Sequence, residues 1–378
     1  MLGKRGTWVG LAAAMVLAVA IVPRQLCARG ADDYFAGEPA AAQGELARRV
    51  ARAVLKRPSH TGARRSNGQA EVAFYQMAIL GLGQIVREHP ELRDAYLPAM
   101  RAAAGPLSDP RTLGYATRRW GENGLSAMKP GDGHAYLGYI NLALSMLRLT
   151  DPDTPYAALN DRLTAALAER LDRSPTGLIE TYPGETWPPD VAAVAGSIGL
   201  HAAATGADHR ALLARWSARF ARCAVSPSGY LVQRVRSGTC RPVDAPRGSG
   251  TAIASYFISF ADPALSRRLF DALRSKGRVS WLGYGGVREY VDGTDGPGDG
   301  NSGPILFGGA SVGATGFGLG AARANGDRDF YRELYRSATA GRQVLNAMVA
   351  SHVVPDRAVA EALLLAMLTA NQLAPPMH

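Results

Sequence analysis

Apolar residues recur at three- and four-residue spacing along most of the chain, the period of a helix that buries one face. The pattern predicts helices over residues 44–57, 70–88 and 91–103, a short one over 112–120, and a strong one over 134–149. It continues over 154–172, 191–205, 209–223, 251–260, 263–275, around 308–325, 328–348 and 358–373. The connections between them are rich in Gly, Pro and Asp, and there the period is lost. No alternating apolar and polar run is longer than a hairpin, and Ser226 to Thr239 reads as one. Helices joined alternately by short turns and long irregular loops predict an all-α fold, an (α/α)6-type toroid of helical hairpins with long mouth loops and one or two short β-hairpins. A loose bundle or a solenoid is the competing arrangement, and the lack of a constant repeat period speaks against the solenoid.

Composition sharpens this picture. Of 378 residues, 47% are hydrophobic but only 7% aromatic, which favours packed helices over a large sheet. Lys4 and Arg5 precede an uncharged run from Thr7 to Pro23, the layout of a signal peptide or signal anchor over residues 1–30. A small-residue cleavage site lies at Ala28-Arg29-Gly30, whereas Arg24 just behind the apolar run suits an uncleaved anchor, and both remain open. Leu26 stands where a lipoprotein site wants a small residue, so lipidation of Cys27 is disfavoured. Residues 31–43 read as a linker and 44–378 as a single toroid domain. The protein is therefore expected to be exported, periplasmic or anchored in the inner membrane with its domain outside the cytoplasm, touching the membrane through the N-terminal segment if that is uncleaved.

The formal charge is +10; a processed chain keeps +6, the 42 basic residues less four in the leader set against 32 acids. The basic residues are scattered along helices and not interleaved with aromatics, which argues against nucleic-acid binding and for adhesion to an anionic envelope surface. Cys223 and Cys240 flank the expected hairpin, and an oxidising compartment would let them pair as a disulfide.

Candidate chemistry gathers in four loops. Glu180-Thr-Tyr-Pro-Gly-Glu-Thr-Trp-Pro-Pro-Asp190 packs three carboxylates, two aromatics and three prolines between two helices. Prolines stiffen the path, so Tyr182 and Trp187 are aimed, Tyr182 as a polarising or proton-relaying hydroxyl, and Glu185 and Asp190 form an acid/base pair. The competing reading makes Asp190 the cap of a helix starting at Val191, and Trp187 and Tyr182 wall packing. Gly131-Asp-Gly-His134 leads into Tyr136 and Tyr139, with His134 a proton shuttle or a structural histidine, Tyr136 substrate-binding and Tyr139 a polarising hydroxyl. In the third loop Arg247-Gly-Ser-Gly250 offers a substrate clamp, or else an ordinary helix start. In the fourth, Glu289 and Tyr290 are candidates to face the funnel. Its spacing of Asp292, Asp295, Asp299 and Asn301 lacks the calcium-loop pattern, so no metal is expected. With no nucleotide-binding glycine loop, no cofactor is expected either. His201 reads as a core or lumen histidine without contact to Asp190.

Tyr136-Leu-Gly-Tyr-Ile-Asn-Leu-Ala-Leu144 and Tyr182-Pro-Gly-Glu-Thr-Trp-Pro-Pro-Asp190, supported by Arg247-Gly-Ser and Ser302-Gly-Pro, resemble the linalool dehydratase/isomerase-type family of (α/α) toroids. The resemblance runs from about Gly44 to the end. It implies acid/base addition or removal of water at an apolar alcohol in an aromatic-walled site. The family's catalytic cysteine pair belongs in the Tyr182 to Asp190 region, and here an acidic and aromatic set stands in its place. Two alternatives accompany it: a carbohydrate-active toroid acting on envelope glycan, with Glu185 and Asp190 as acid and base and Trp187 and Tyr182 stacking on a sugar, and a non-catalytic envelope scaffold. The expected partner is a small-molecule or glycan substrate.

Overall fold

Helices that bury every side and helices that bury one stripe alternate along this chain, and the alternation sets the architecture. The computed structural model describes residues 24–38, 41–56, 68–126, 133–300, 302–349 and 357–371. In chain order its helices are α1 (Ala31–Ala36), α2 (Ala41–Lys56), α3 (Gln69–Glu88), α4 (Arg93–Leu107), α5 (Gly114–Trp120), α6 (Leu137–Thr150) and α7 (Ala157–Arg173). There follow α8 (Pro188–Thr205), α9 (Arg210–Ala224), α10 (Gly248–Ile258), α11 (Pro263–Ala272), α12 (Val312–Ala324), α13 (Arg328–Val349) and α14 (Arg357–Leu368). The protein is all-α, with two small antiparallel sheets.

The inner helices α3, α6, α8, α10, α12 and α14 pack each on the next in that order, and α14 packs back on α3, so the contacts return on themselves. Outside them, α4 lies on α3, α7 on α6 and α8, α11 on α10 and α13 on α12. The two classes differ in burial. Residues Val191 to His201 of α8 are buried without interruption, whereas α7 buries Leu163, Thr164, Leu167, Ala168 and Leu171 at helical spacing. Glycines bring the inner helices close. A Cβ on Gly138 of α6 would sit 2.6 Å from the Val194 amide nitrogen of α8, and one on Gly199 of α8 would sit 2.0 Å from the Phe260 carbonyl oxygen after α10. Polar groups admitted between α6, α7 and α8 bond to one another: Asn160 donates to Asn141 Oδ1 at 2.7 Å, and Asn141 donates to Ser197 Oγ at 2.9 Å.

Several expectations are corrected. Ala31–Ala36, expected within a linker, is helix α1 docked on α13, because Tyr34 buries its ring there and Asp32 accepts hydrogen bonds from Arg328 and Arg332 at 2.9 and 2.7 Å. The expected hairpin of Ser226 to Thr239 closes only as a tight turn at its start, where the Ser226 amide donates to the Tyr230 carbonyl at 2.9 Å. Gly229 and Gly238 turn the chain at φ 84 and 70, leaving only short extended pieces, and β2 (Val235–Arg236) pairs with β1 (Glu185–Thr186) instead. A true hairpin forms between β3 (Arg278–Trp281) and β4 (Tyr284–Val287). The Cys223–Cys240 disulfide is formed, with its Cα atoms 4.6 Å apart. Among the described residues no helix is long and apolar enough to cross a membrane. The leader run from Thr7 to Pro23 and the Lys129 to Asp132 stretch lie outside the described residues.

Candidate active site

The Glu180 to Asp190 stretch folds as two successive turns. Pro183 and Gly184 occupy the centre of a turn closed by the Glu185 amide on the Tyr182 carbonyl at 2.8 Å, and Gly184 supplies the required positive φ of 76. Two further prolines occupy the first positions of α8, so the helix begins at Pro188 and not at Val191, its φ angles preset where no amide hydrogen is needed. Asp190 is therefore in the first turn, and its side chain is free of capping. It turns inward: Tyr139 donates to Asp190 Oδ1 at 2.5 Å and Thr181 donates to Oδ2 at 2.8 Å. Thr181 is itself held by its amide on the Glu185 carbonyl at 2.8 Å, and its carbonyl accepts from the Trp120 indole at 3.0 Å.

Asp190 lines a cavity of about 660 Å3 to which all six inner helices contribute. Part of the lining is polar and aromatic, with Tyr115, Tyr136, Tyr139 and Tyr182; part is apolar, with Met77, Ile253, Phe257, Phe317 and Leu363. Burial pushes the Asp190 carboxyl up to about 6, and the hydrogen bonds from Tyr139 and Thr181 only partly offset this. Burial also holds the Tyr139 and Tyr115 hydroxyls well above the usual phenol range and pushes Tyr182 up to about 12, so all three keep their protons. Tyr182 accepts from Gln69 at 3.0 Å, and its ring lies under the Arg119 guanidinium at 4.3 Å.

Glu185 lines the same cavity but in a different environment. Burial alone would raise its carboxyl. Hydrogen bonds from Arg119 and the Trp187 indole, with the charges of Arg119 and Arg234, instead hold it below the usual carboxylate range. The cavity thus carries one carboxyl that exchanges its proton near neutrality and one that stays ionised. Trp187, at 3.3 Å from Glu185 Oε2, and Tyr136, stacked on Tyr182 with centroids 6.3 Å apart, also line it.

Four sequence candidates lie outside the lining. His134 is buried at φ 64, stacked on Trp120 with centroids 4.0 Å apart, and burial and the Arg170 charge lower it to about 4, so it is a neutral structural histidine behind Tyr136. Arg247 is engaged by Asp299 and lies over the Tyr290 ring. Glu289 is fully buried and accepts from Ser249 and Ser311 hydroxyls, each at 2.6 Å, fastening the starts of α10 and α12. Tyr290 donates to the Pro297 carbonyl at 3.2 Å. His201, as expected, is away from Asp190 and pairs with Asp161 at 2.8 Å.

No family model matches the chain, and no curated protein matches it. The site therefore rests on its own geometry, and part of that geometry was missed in sequence. Gln69, Tyr115 and Arg119 reach the cavity from α3 and α5; Tyr115 and Arg119 are four apart, a readable shared face, but nothing local says what it faces. Gln76 and Gln233 line it as well, 1% and 5% exposed, and Gln76 Nε2 and Gln233 Oε1 have no protein partner. Both atoms are closed off from solvent, and Gln233 Oε1 lies against Gly250, within 2.3 Å of where a Cβ would stand.

Proposed function

We propose that the closed circuit of inner helices is an (α/α)6 toroid and that its cavity is the active site of a cofactor-independent acid/base enzyme. The substrate is a small hydroxylated molecule with an apolar body, and the reaction is of the hydro-lyase or isomerase type, as the family resemblance implies. The observation that carries this reading is Asp190, raised to about 6 between Tyr139 and Thr181 and facing a cavity whose lining is in part apolar. Protonated Asp190 gives its proton to the substrate hydroxyl, the C–O bond breaks and water leaves. The cationic carbon is met by tyrosine faces and by ionised Glu185. The Asp190 carboxylate then takes a proton from the neighbouring carbon, which leaves an alkene and restores the acid. Run backward, the same steps hydrate, and hydration at the other carbon isomerises.

A second reading, a carbohydrate-active enzyme, is favoured by the unlike pair of Glu185 and Asp190 beside Trp187. The open volume speaks against a third, a scaffold with a filled centre. Export through the N-terminal segment is part of the proposal, and the Cys223–Cys240 disulfide supports it. The test is a screen of the purified chain against isoprenoid-type alcohols and envelope glycans, with Asp190→Asn as control. Turnover of an alcohol that is lost in the variant supports the first reading, turnover of a glycan the second, and turnover unchanged in Asp190→Asn removes Asp190 from either.

A further inference from the structure

The turn joining β3 to β4 is built against local preference. Leu282 and Gly283 both take positive φ, 51 and 79, where a two-residue hairpin favours Asn, Asp or Gly at the first position. Leucine there is strained, and it is also 51% exposed, next to Trp281 at 67%. Two costs at one position, backbone and solvation, call for something that covers the tip.

The surroundings indicate what. The Arg24 guanidinium lies against Gly283, within 2.7 Å of where a Cβ would stand, and Arg336 donates to the Gly283 carbonyl at 2.9 Å. Neither arginine makes an ion pair among the described residues, since the nearby Glu333 is engaged by Arg278 at 2.7 Å. Leu26, two residues after Arg24, is also 46% exposed. Arg24 is also the residue that directly follows the uncharged run from Thr7 to Pro23. An exposed Trp and Leu ringed by unpaired arginines, at the point where an apolar segment joins the domain, have the composition of a membrane-interface contact.

We infer that the β3–β4 tip is a second membrane contact, with Trp281 and Leu282 entering the headgroup region of an anionic bilayer and Arg24 and Arg336 meeting lipid phosphates. The domain is then held to the bilayer at two adjacent points and its orientation is fixed. The inference rests on reading the N-terminal segment as membrane-directed, and is independent of the chemistry in the cavity.

The test uses the full chain with Trp8→Phe, reconstituted in phosphatidylcholine and phosphatidylglycerol vesicles, some made with lipids brominated high on the acyl chains. Brominated lipid is expected to quench part of the tryptophan emission. Adding Trp281→Phe removes that quenching, and Arg24→Gln with Arg336→Gln reduces it at least twofold. Trp281 is exposed, so its replacement leaves the fold intact. Quenching that survives Trp281→Phe, or a chain that joins the vesicles with no quenching, overturns the tip contact alone. A chain that fails to associate with vesicles overturns both the contact and the membrane-directed leader.

Discussion

Asp190 is costly where it stands, and the cost has a sign. Its carboxyl rises from 3.8 to about 6 on folding, so the folded state favours the protonated form. A group raised in this way contributes stability that is fully present below its unfolded value and is lost as pH climbs through about 6. The size is on the order of 3 kcal/mol for a shift of this extent. Urea unfolding of the wild type and Asp190→Asn should therefore diverge with pH, the wild type losing roughly that much relative to the variant between pH 4 and 8. Parallel stability curves would show that Asp190 titrates normally. The residues around it were unevenly legible. Tyr139, Tyr182 and Glu185 could be named because proline spacing and helix position aim them. Gln69, Gln76 and Gln233 could not, since each reaches the cavity by a tertiary approach that leaves no local mark. His134 and Arg247 misled for a related reason: their chemistry suits a site, but Trp120 and Asp299 engage them elsewhere.

The pair that holds Asp190 to Tyr139 is α6 against α8, and Gly138 sets their spacing. With a Cβ, position 138 would meet the Val194 backbone, which cannot give way as a side chain tip can. Gly138→Ala should cost roughly 1–3 kcal/mol by overpacking. It should also lower activity more than stability explains, because it spreads the helices that carry Tyr139 and Asp190. Retained stability and turnover in Gly138→Ala would mean that the close crossing is not needed. The disulfide acts on a different element, the extended stretch that carries Gln233 between α9 and α10. Cys240→Ala opens a span of 17 residues, and the chain-entropy model predicts a loss of roughly 3 kcal/mol, read in urea under oxidising conditions. Helices and disulfide were legible from periodicity and cysteine placement. The β1–β2 pairing was not, because two-residue strands far apart in sequence carry no alternating pattern to read.

At the scale of the whole molecule, helices joined alternately by short turns and long loops were legible as hairpins, and the contacts of α14 with α3 return the series of helices to its start. What sequence alone left open was whether the inside is filled. Small residues on the inner helices let backbones approach at the crossings, while Tyr, Phe and Met side chains line a volume of about 660 Å3 between them. Polar residues of that volume come from α3, α5, α6, the start of α8 and the start of α10, and apolar ones from α3, α10, α12 and α14.

The most direct measurement is water loss from an isoprenoid-type alcohol, followed as alkene formed per unit time by wild type and by Asp190→Asn of matched folded content. The account predicts turnover by the wild type that falls as pH rises above about 6, and a decrease of at least about a hundredfold in the variant, the scale of a lost general acid. Equal rates in the two proteins, or a wild-type rate indifferent to pH across that range, would contradict it.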